Sequence, residues 1–255
     1  EPGAGSDVAG MSTSAKKAGN DYILNGEKSF ITNASHSKMF VVFATHDRSR
    51  RDKGISTFVV PSDAEGLSIG KKEHKMGQRA SNTASVIFKD VRVPAEDRLG
   101  NEGDGFKIAM RTLDHSRPLV AIAAVGLARS AMEYSIKYAA ERKQFDQPIA
   151  SFQAIQFMIA DMAKDIEASR WLTYYSSWLL DHNRPSTLYS SMAKCMASDV
   201  AMRVTTDAVQ IFGGYGYSRE FPVEKLMRDA KLLQIYEGTN QIQRLVIAKN
   251  LLSVS

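Results

Sequence analysis

The sequence predicts an α+β chain, with β structure first and helices second. Three observations carry this. Short β-branched and aromatic runs crowd residues 1–101, the apolar spacing changes to that of a helix from Gly103 onward, and a turn-rich stretch at 98–105 separates the two halves. The 255 residues allow one large domain or two ordinary ones, and 44% of them are hydrophobic, enough for a substantial core.

In the first half, Asn25-Gly26 between two apolar runs predicts a β-hairpin. Runs at 39–45 and 55–60 read as strands, with a charged loop at 47–53 between them. Two further strands are expected at 84–88 and 91–93, the second ended by Pro94. Strands this short and closely spaced suit a small barrel or sandwich.

In the second half, Phe106, Ala109, Met110 and Leu113 form one short stripe. Pro118 is then expected in the first turn of a long helix that runs to about Arg142. A loop at 145–148 leads to a second long helix, from 151 or 152 to about 181, with Ile155, Met158, Ile159, Met162 and Ile166 on its apolar face. A third begins after 184–187 and stops at Gly213-Gly214. A short helix after Phe221-Pro222 and another after Glu237 complete an antiparallel bundle.

Composition excludes several function classes. The net charge of +5 is spread thinly and forms no block suited to nucleic acid. No apolar run suggests a membrane span. Cys195, the single cysteine, sits in an apolar helical pattern and is expected to pack as a small hydrophobe. The five histidines show no ligand spacing, so no metal site is expected.

The stretch with most chemical content is 234–244. Glu237 lies between Tyr236 and Gly238, and Thr239 and Asn240 are good caps for a following helix through Ile242, Leu245, Val246 and Leu252. A carboxylate on a loop ahead of a helix, beside an aromatic ring and Ile235, is well placed for general-base work. Elsewhere the signals are weak alone. The Gly-rich run at 1–7, Gly213-Gly214, the polar stretch 114–118 and the cationic helix end at 141–145 each have an ordinary reading as a turn or a cap.

Taken together, these stretches resemble one family in order and spacing. The carriers are Glu-Pro-Gly-Ala-Gly-Ser-Asp at 1–7, Asn-Gly-Glu-Lys-Ser-Phe-Ile-Thr-Asn at 25–33 and Met-Gly-Gln-Arg at 76–79. Further matches are Glu-Arg-Lys-Gln-Phe at 141–145, Asp-Ala-Val-Gln-Ile-Phe-Gly-Gly at 207–214, Met-Arg-Asp-Ala-Lys at 227–231 and Ile-Tyr-Glu-Gly-Thr-Asn-Gln-Ile-Gln-Arg at 235–244. The chain resembles the acyl-CoA dehydrogenases, closest to their medium- and short-chain type. The resemblance implies a middle β-barrel domain at 1–102 and a C-terminal four-helix-bundle domain at 103–255. The family's N-terminal helical domain has no counterpart here, so the chain is expected to be a fragment or one partner of a split enzyme.

The same resemblance implies FAD-dependent oxidation of an acyl-CoA to the trans-2-enoyl-CoA, with Glu237 removing the α-proton. Ser6, Phe30, Ile31, Thr32, Arg142, Gln144, Phe145, Gln153, Gln210, Gly214, Thr239 and Gln241 would bind FAD, those at 142–153 on a neighbouring subunit. Many relatives have Trp where Phe30 stands. Ser6, Asp114, Arg117, Tyr236 and Gly238 would contact the substrate. A homotetramer, electron transfer to electron-transferring flavoprotein, and a bacterial cytoplasmic or mitochondrial-matrix location are further implications. The alternatives are a cyclic-acid acyl-CoA dehydrogenase with the same base and a non-catalytic flavoprotein of the same fold.

Overall fold

The computed structural model describes residues 1–252. It divides into two compact units, one of residues Glu1–Lys75 and Arg79–Thr112, the other of Met76–Gln78 and the chain from Leu113 onward.

The first unit is built on seven strands: β1 (Ser14–Ala18), β2 (Asp21–Thr32), β3 (Met39–Thr45), β4 (Ile55–Pro61), β5 (Leu67–Lys72), β6 (Thr83–Pro94) and β7 (Arg98–Leu99). They form one mixed sheet in the order β5-β6-β2-β1-β3-β4-β7. Every pairing is antiparallel except that of β1 with β3. The sheet is strongly curled. Tyr22 on β2 and Phe58 on β4 are separated by two strands, which in a flat sheet would put them about 14 Å apart. Their ring centroids are 4.9 Å apart. The enclosed core includes Leu24, Val42, Phe58, Val60, Val86 and Val91.

Two turn signals misled the sequence reading. Asn25-Gly26 is no hairpin: β2 runs straight through it, with a register shift between Leu24 and Gly26. The opposing Asp90 has φ 52°, and the two irregularities lock together. Asn25 Nδ2 donates to Asp90 Oδ1 at 2.9 Å, and Asp90 N donates to Asn25 Oδ1 at 2.9 Å. The Asn-Gly pair therefore makes a bulge, which needs the same unusual backbone freedom as a turn. Because β6 passes through Asp90, the two strands expected at 84–88 and 91–93 are one. The β1–β2 hairpin turns instead at Gly19-Asn20, with Gly19 at φ 65° and Ala18 opposite Asp21.

The second unit contains most of α1 (Gly105–Glu141), then α2 (Gln153–Asp181), α3 (Thr187–Phe212), α4 (Val223–Leu233) and α5 (Asn240–Leu252). Pro118 does not open α1 but lies inside it. The apolar spacing at 106, 109, 110 and 113 continues in phase through Val120, Ala121 and Ala124, which outweighs the hydrogen bond that proline cannot make. By length and composition α1 could cross a membrane, a match the sequence reading did not anticipate. Its Ala121, Ala124, Ala128 and Ala131 are buried in the bundle core with Met162 and Ile166 of α2 and Ala197, Ala201 and Val204 of α3. Helix α3 is the hub, packing on α2, α4 and α5. Helix α5 is unlike the rest: its buried residues are Asn240 and Gln243, while Leu245 and Leu252 are exposed.

Two tests follow from the sheet unit. A Cβ on Gly26, at φ 150°, would lie 2.7 Å from Thr13 Cα. Gly26→Ala is therefore expected to destabilise the protein by about 2 kcal/mol or more, read as a lower melting temperature. The second concerns Glu1, whose carboxylate is buried against Lys28 at 2.6 Å and accepts from Ser12 N and Thr13 N. Burial alone would raise its pKa, but these partners hold it at about 2, below the ordinary 4.5. A depressed carboxyl stabilises fully above about 4.5 and loses that contribution as pH falls toward 2. Glu1→Gln should be less stable than the parent at neutral pH, with the difference shrinking across that window in urea titrations.

Candidate active site

Glu237 stands on the short loop between α4 and α5, as the Gly-Thr-Asn run suggests. Thr239 Oγ1 accepts from Ile242 N at 3.3 Å and so caps α5. Glu237 itself has φ 57° and Gly238 has φ 85°. A left-handed glutamate is strained, and such strain concentrates where a side chain must be aimed.

The loop is held from below by a polar cluster. Lys194 on α3 is fully buried, and its ammonium donates to Gly238 O at 2.8 Å and Asn240 Oδ1 at 2.9 Å. Burial pushes Lys194 down to about 8, while the carboxylates of Asp199 and Glu237 pull the other way. Gln243 Nε2 donates to Glu237 O at 3.1 Å and to Gly238 O at 3.0 Å. Asn240 Nδ2 donates to Asp199 Oδ1 at 2.7 Å, and Gln234 Nε2 reaches the same oxygen at 2.7 Å. Arg244 closes the cluster on Asp199 Oδ2 at 2.6 Å.

Above the loop, Ser116 Oγ donates to Glu237 Oε2 in a short contact. One residue on, Arg117 is buried, with Nη1 donating to Asp114 Oδ1 at 2.8 Å; Thr187 Oγ1 donates to Asp114 Oδ2 at 2.6 Å. Burial lowers the Arg117 pKa, and Asp114 and Glu237 oppose that. Tyr236 is half-buried, and burial together with the Glu237 charge raises its phenol. The N–H groups of Glu237 and Gly238 have no hydrogen-bond acceptor among the described residues. The structure thus gathers Glu237, Tyr236, Gly238, Asp114 and Arg117. It adds Ser116, Lys194 and Gln243, which the sequence reading missed. The one available signal was Lys194, a lone cation in the apolar stretch 192–197.

A second group of candidates surrounds a cavity of about 490 Å³ lined by Tyr138, Arg142, Gln144, Phe212, Gly214 and Tyr215, among others. The Arg142 guanidinium lies 5.6 Å from the Tyr215 ring centroid. The strands β8 (Lys143–Gln144) and β9 (Gln147–Pro148) make a two-residue hairpin where a loop was expected, with Phe145 at φ 51° and Asp146 at φ 60°. That double left-handed pattern is the one tight hairpins favour. Exposed cation and amide donors, bare glycine backbone and an aromatic face suit a nucleotide's phosphates and base. Among the described residues, Phe145, Gln153, Gln210, Thr239 and Gln241 do not line this cavity.

In the sheet unit, Phe30 is 70% exposed and has φ 57°, at a second register shift of β2. Thr32 and Ser6 are exposed, and Ile31 lines a separate cavity of about 210 Å³ together with Lys28 and Val42.

Two family models match the chain: the acyl-CoA dehydrogenase middle domain over residues 1–91 and the acyl-CoA dehydrogenase C-terminal domain over 103–252. A probable acyl-CoA dehydrogenase of Mycobacterium tuberculosis, FadE25, is 50% identical over 98% of this chain. The mitochondrial short-chain specific acyl-CoA dehydrogenase of Mus musculus is 49% identical over 99%. Among solved structures, butyryl-CoA dehydrogenase from Megasphaera elsdenii superposes with a TM-score of 0.97 at 49% identity over 99% of the chain. The chain spans 64%, 61% and 66% of the lengths of these three relatives, respectively.

The loop geometry sets a test. A Cβ on Gly238 would lie 2.6 Å from Gln243 Nε2, at a φ that L side chains rarely adopt. Gly238→Ala should cost about 1–3 kcal/mol of stability, measured by thermal unfolding. An unchanged melting temperature would show that the loop is not held in this conformation.

Proposed function

The chain belongs to the acyl-CoA dehydrogenase family, and on that premise we propose that it serves the oxidation of a short straight-chain acyl-CoA to its trans-2-enoyl-CoA, with Glu237 as the base. The observation that carries this reading is Glu237 itself, a carboxylate on a strained, clamped backbone beside two N–H groups that have no acceptor among the described residues.

The α-proton of a thioester is a weak acid, and a carboxylate can take it only if the charge left on the thioester oxygen is stabilised. In this reading the Glu237 N–H donates to that oxygen, while the Glu237 carboxylate accepts the proton. Ser116 positions the carboxylate before substrate arrives. Tyr236 and the acyl chain exclude water around it, which strengthens the base. Asp114, which accepts from Thr187 Oγ1, and Arg117, which donates to Ser191 Oγ, tie this part of α1 to α3 beside Ser116.

FAD, when bound, supplies at its N5 the acceptor for the hydride leaving the β-carbon. Arg142 and Gln144 would reach the phosphate end of the FAD of a neighbouring subunit, with Gly214 beside them, a role supported by the exposed donors and bare backbone that line their cavity. Phe145, Gln153, Gln210, Thr239 and Gln241 would complete the contacts of the helical unit. Ser6, Phe30, Ile31 and Thr32 are the corresponding set on the sheet unit. The reading extends to a homotetramer that passes electrons to electron-transferring flavoprotein; a chain from work on the electron transferring flavoprotein of Acidaminococcus fermentans is 52% identical to this one. The short-chain and butyryl-CoA enzymes among the relatives support the short acyl chain.

In the complete FAD-loaded protein, Glu237→Gln should retain flavin and bind acyl-CoA. Its anaerobic flavin bleaching by butyryl-CoA should slow by about 10²–10⁴-fold, because an amide cannot accept the proton. Bleaching at the parent rate would rule out Glu237 as the base.

A further inference from the structure

We propose that Lys194 and Gln243 are positioning residues for the reaction: Gln243 holds the Glu237–Gly238 peptide, both hold the Gly238–Thr239 peptide after it, and together they keep Glu237 in the left-handed conformation that aims its carboxylate and its backbone N–H. The inference rests on Glu237 being the base.

Three observations support it. First, the two side chains converge on adjacent carbonyls. Gly238 O accepts from both Lys194 Nζ and Gln243 Nε2, and Glu237 O accepts from Gln243 Nε2 as well. Second, both side chains are fully buried. Gln243 Oε1 is buried with no hydrogen-bond partner among the described residues, so its amide is spent on the loop at a standing cost. Third, the bonds act where the backbone most needs restraint. Glu237 at φ 57° and Gly238 at φ 85° are consecutive left-handed residues, and a glutamate relaxes from that region unless its surroundings hold it there. Lys194 also anchors Asn240 Oδ1, which fixes the loop's far end to the same helix.

Relaxation of Glu237 from its left-handed conformation would change the angle between its carboxylate and its own N–H, which lies in the preceding peptide, so the two could no longer meet the α-carbon and the thioester oxygen at once. Loss of the clamp should therefore fall on the chemical step and spare affinity, since misplacement of about 1 Å can cost 10²-fold in rate.

The test uses the complete FAD-loaded protein with Lys194→Met and, separately, Gln243→Glu, which keeps its size but replaces the donor by an acceptor. Circular dichroism and flavin content establish that each variant is folded and loaded, and either folded variant suffices. Hydrogen exchange of the peptide covering 234–239 should quicken about tenfold or more. Flavin reduction at saturating butyryl-CoA should fall about 100-fold, with the half-saturating concentration changed less than threefold. Combined with Glu237→Gln, either variant should cause no further loss. Unchanged exchange, an unchanged reduction rate, or an equal additional loss in the Glu237→Gln background would each overturn the proposal. The exchange measurement needs no turnover, so it separates failure of the clamp from failure of the assignment of Glu237.

Discussion

A buried ammonium is tolerated only where its protons meet acceptors, and Lys194 meets them only when the loop and α5 are in place. This makes the seam between α3 and α5 the constraint on which the helical unit's proposed chemistry depends. α5 contributes little apolar surface to the core, and its Leu245 and Leu252 face outward. It is attached instead by Asn240, Gln243 and Arg244 reaching Ser198, Asp199 and the loop carbonyls. Such attachment is directional. Hydrophobic contact would tolerate a small slide of α5 along α3, whereas this set of bonds fixes one register. Glu237 is displayed at the end of that register.

Backbone strain recurs at three places that the proposed chemistry needs, though not only there. Phe30, Phe145 and Glu237 are all left-handed non-glycine residues, and each belongs to a segment proposed to meet cofactor or substrate. Each is held by a different device: a β-bulge for Phe30, a two-residue hairpin for Phe145 and the donor clamp for Glu237. Aiming a large side chain outward from a rigid element requires a departure from regular geometry, and in each case the neighbouring ladder or helix keeps it in place.

Much of the architecture was legible because it rests on local pattern. The three long helices follow from apolar periodicity, and the cap at Thr239 follows from residue type. Asn25-Gly26 misled because a bulge and a hairpin ask for the same backbone freedom; which one forms depends on Asp90, sixty-five residues away. Pro118 misled because its local preference is outweighed by the stripe that runs through it. Ser116 and Gln243 were invisible for another reason. A helix serine and a helix glutamine carry no signature of their own, and their importance comes from partners 121 and 6 residues distant.

The central claim is that a carboxylate on this loop takes the α-proton of a bound thioester in the same step that reduces flavin. The most direct measurement is the anaerobic flavin-bleaching rate of the complete FAD-loaded protein with butyryl-CoA and with its 2,2-dideuterated form. The account predicts bleaching several-fold slower with deuterium at the α-carbon. Equal rates, under conditions where the chemical step limits bleaching, would contradict it.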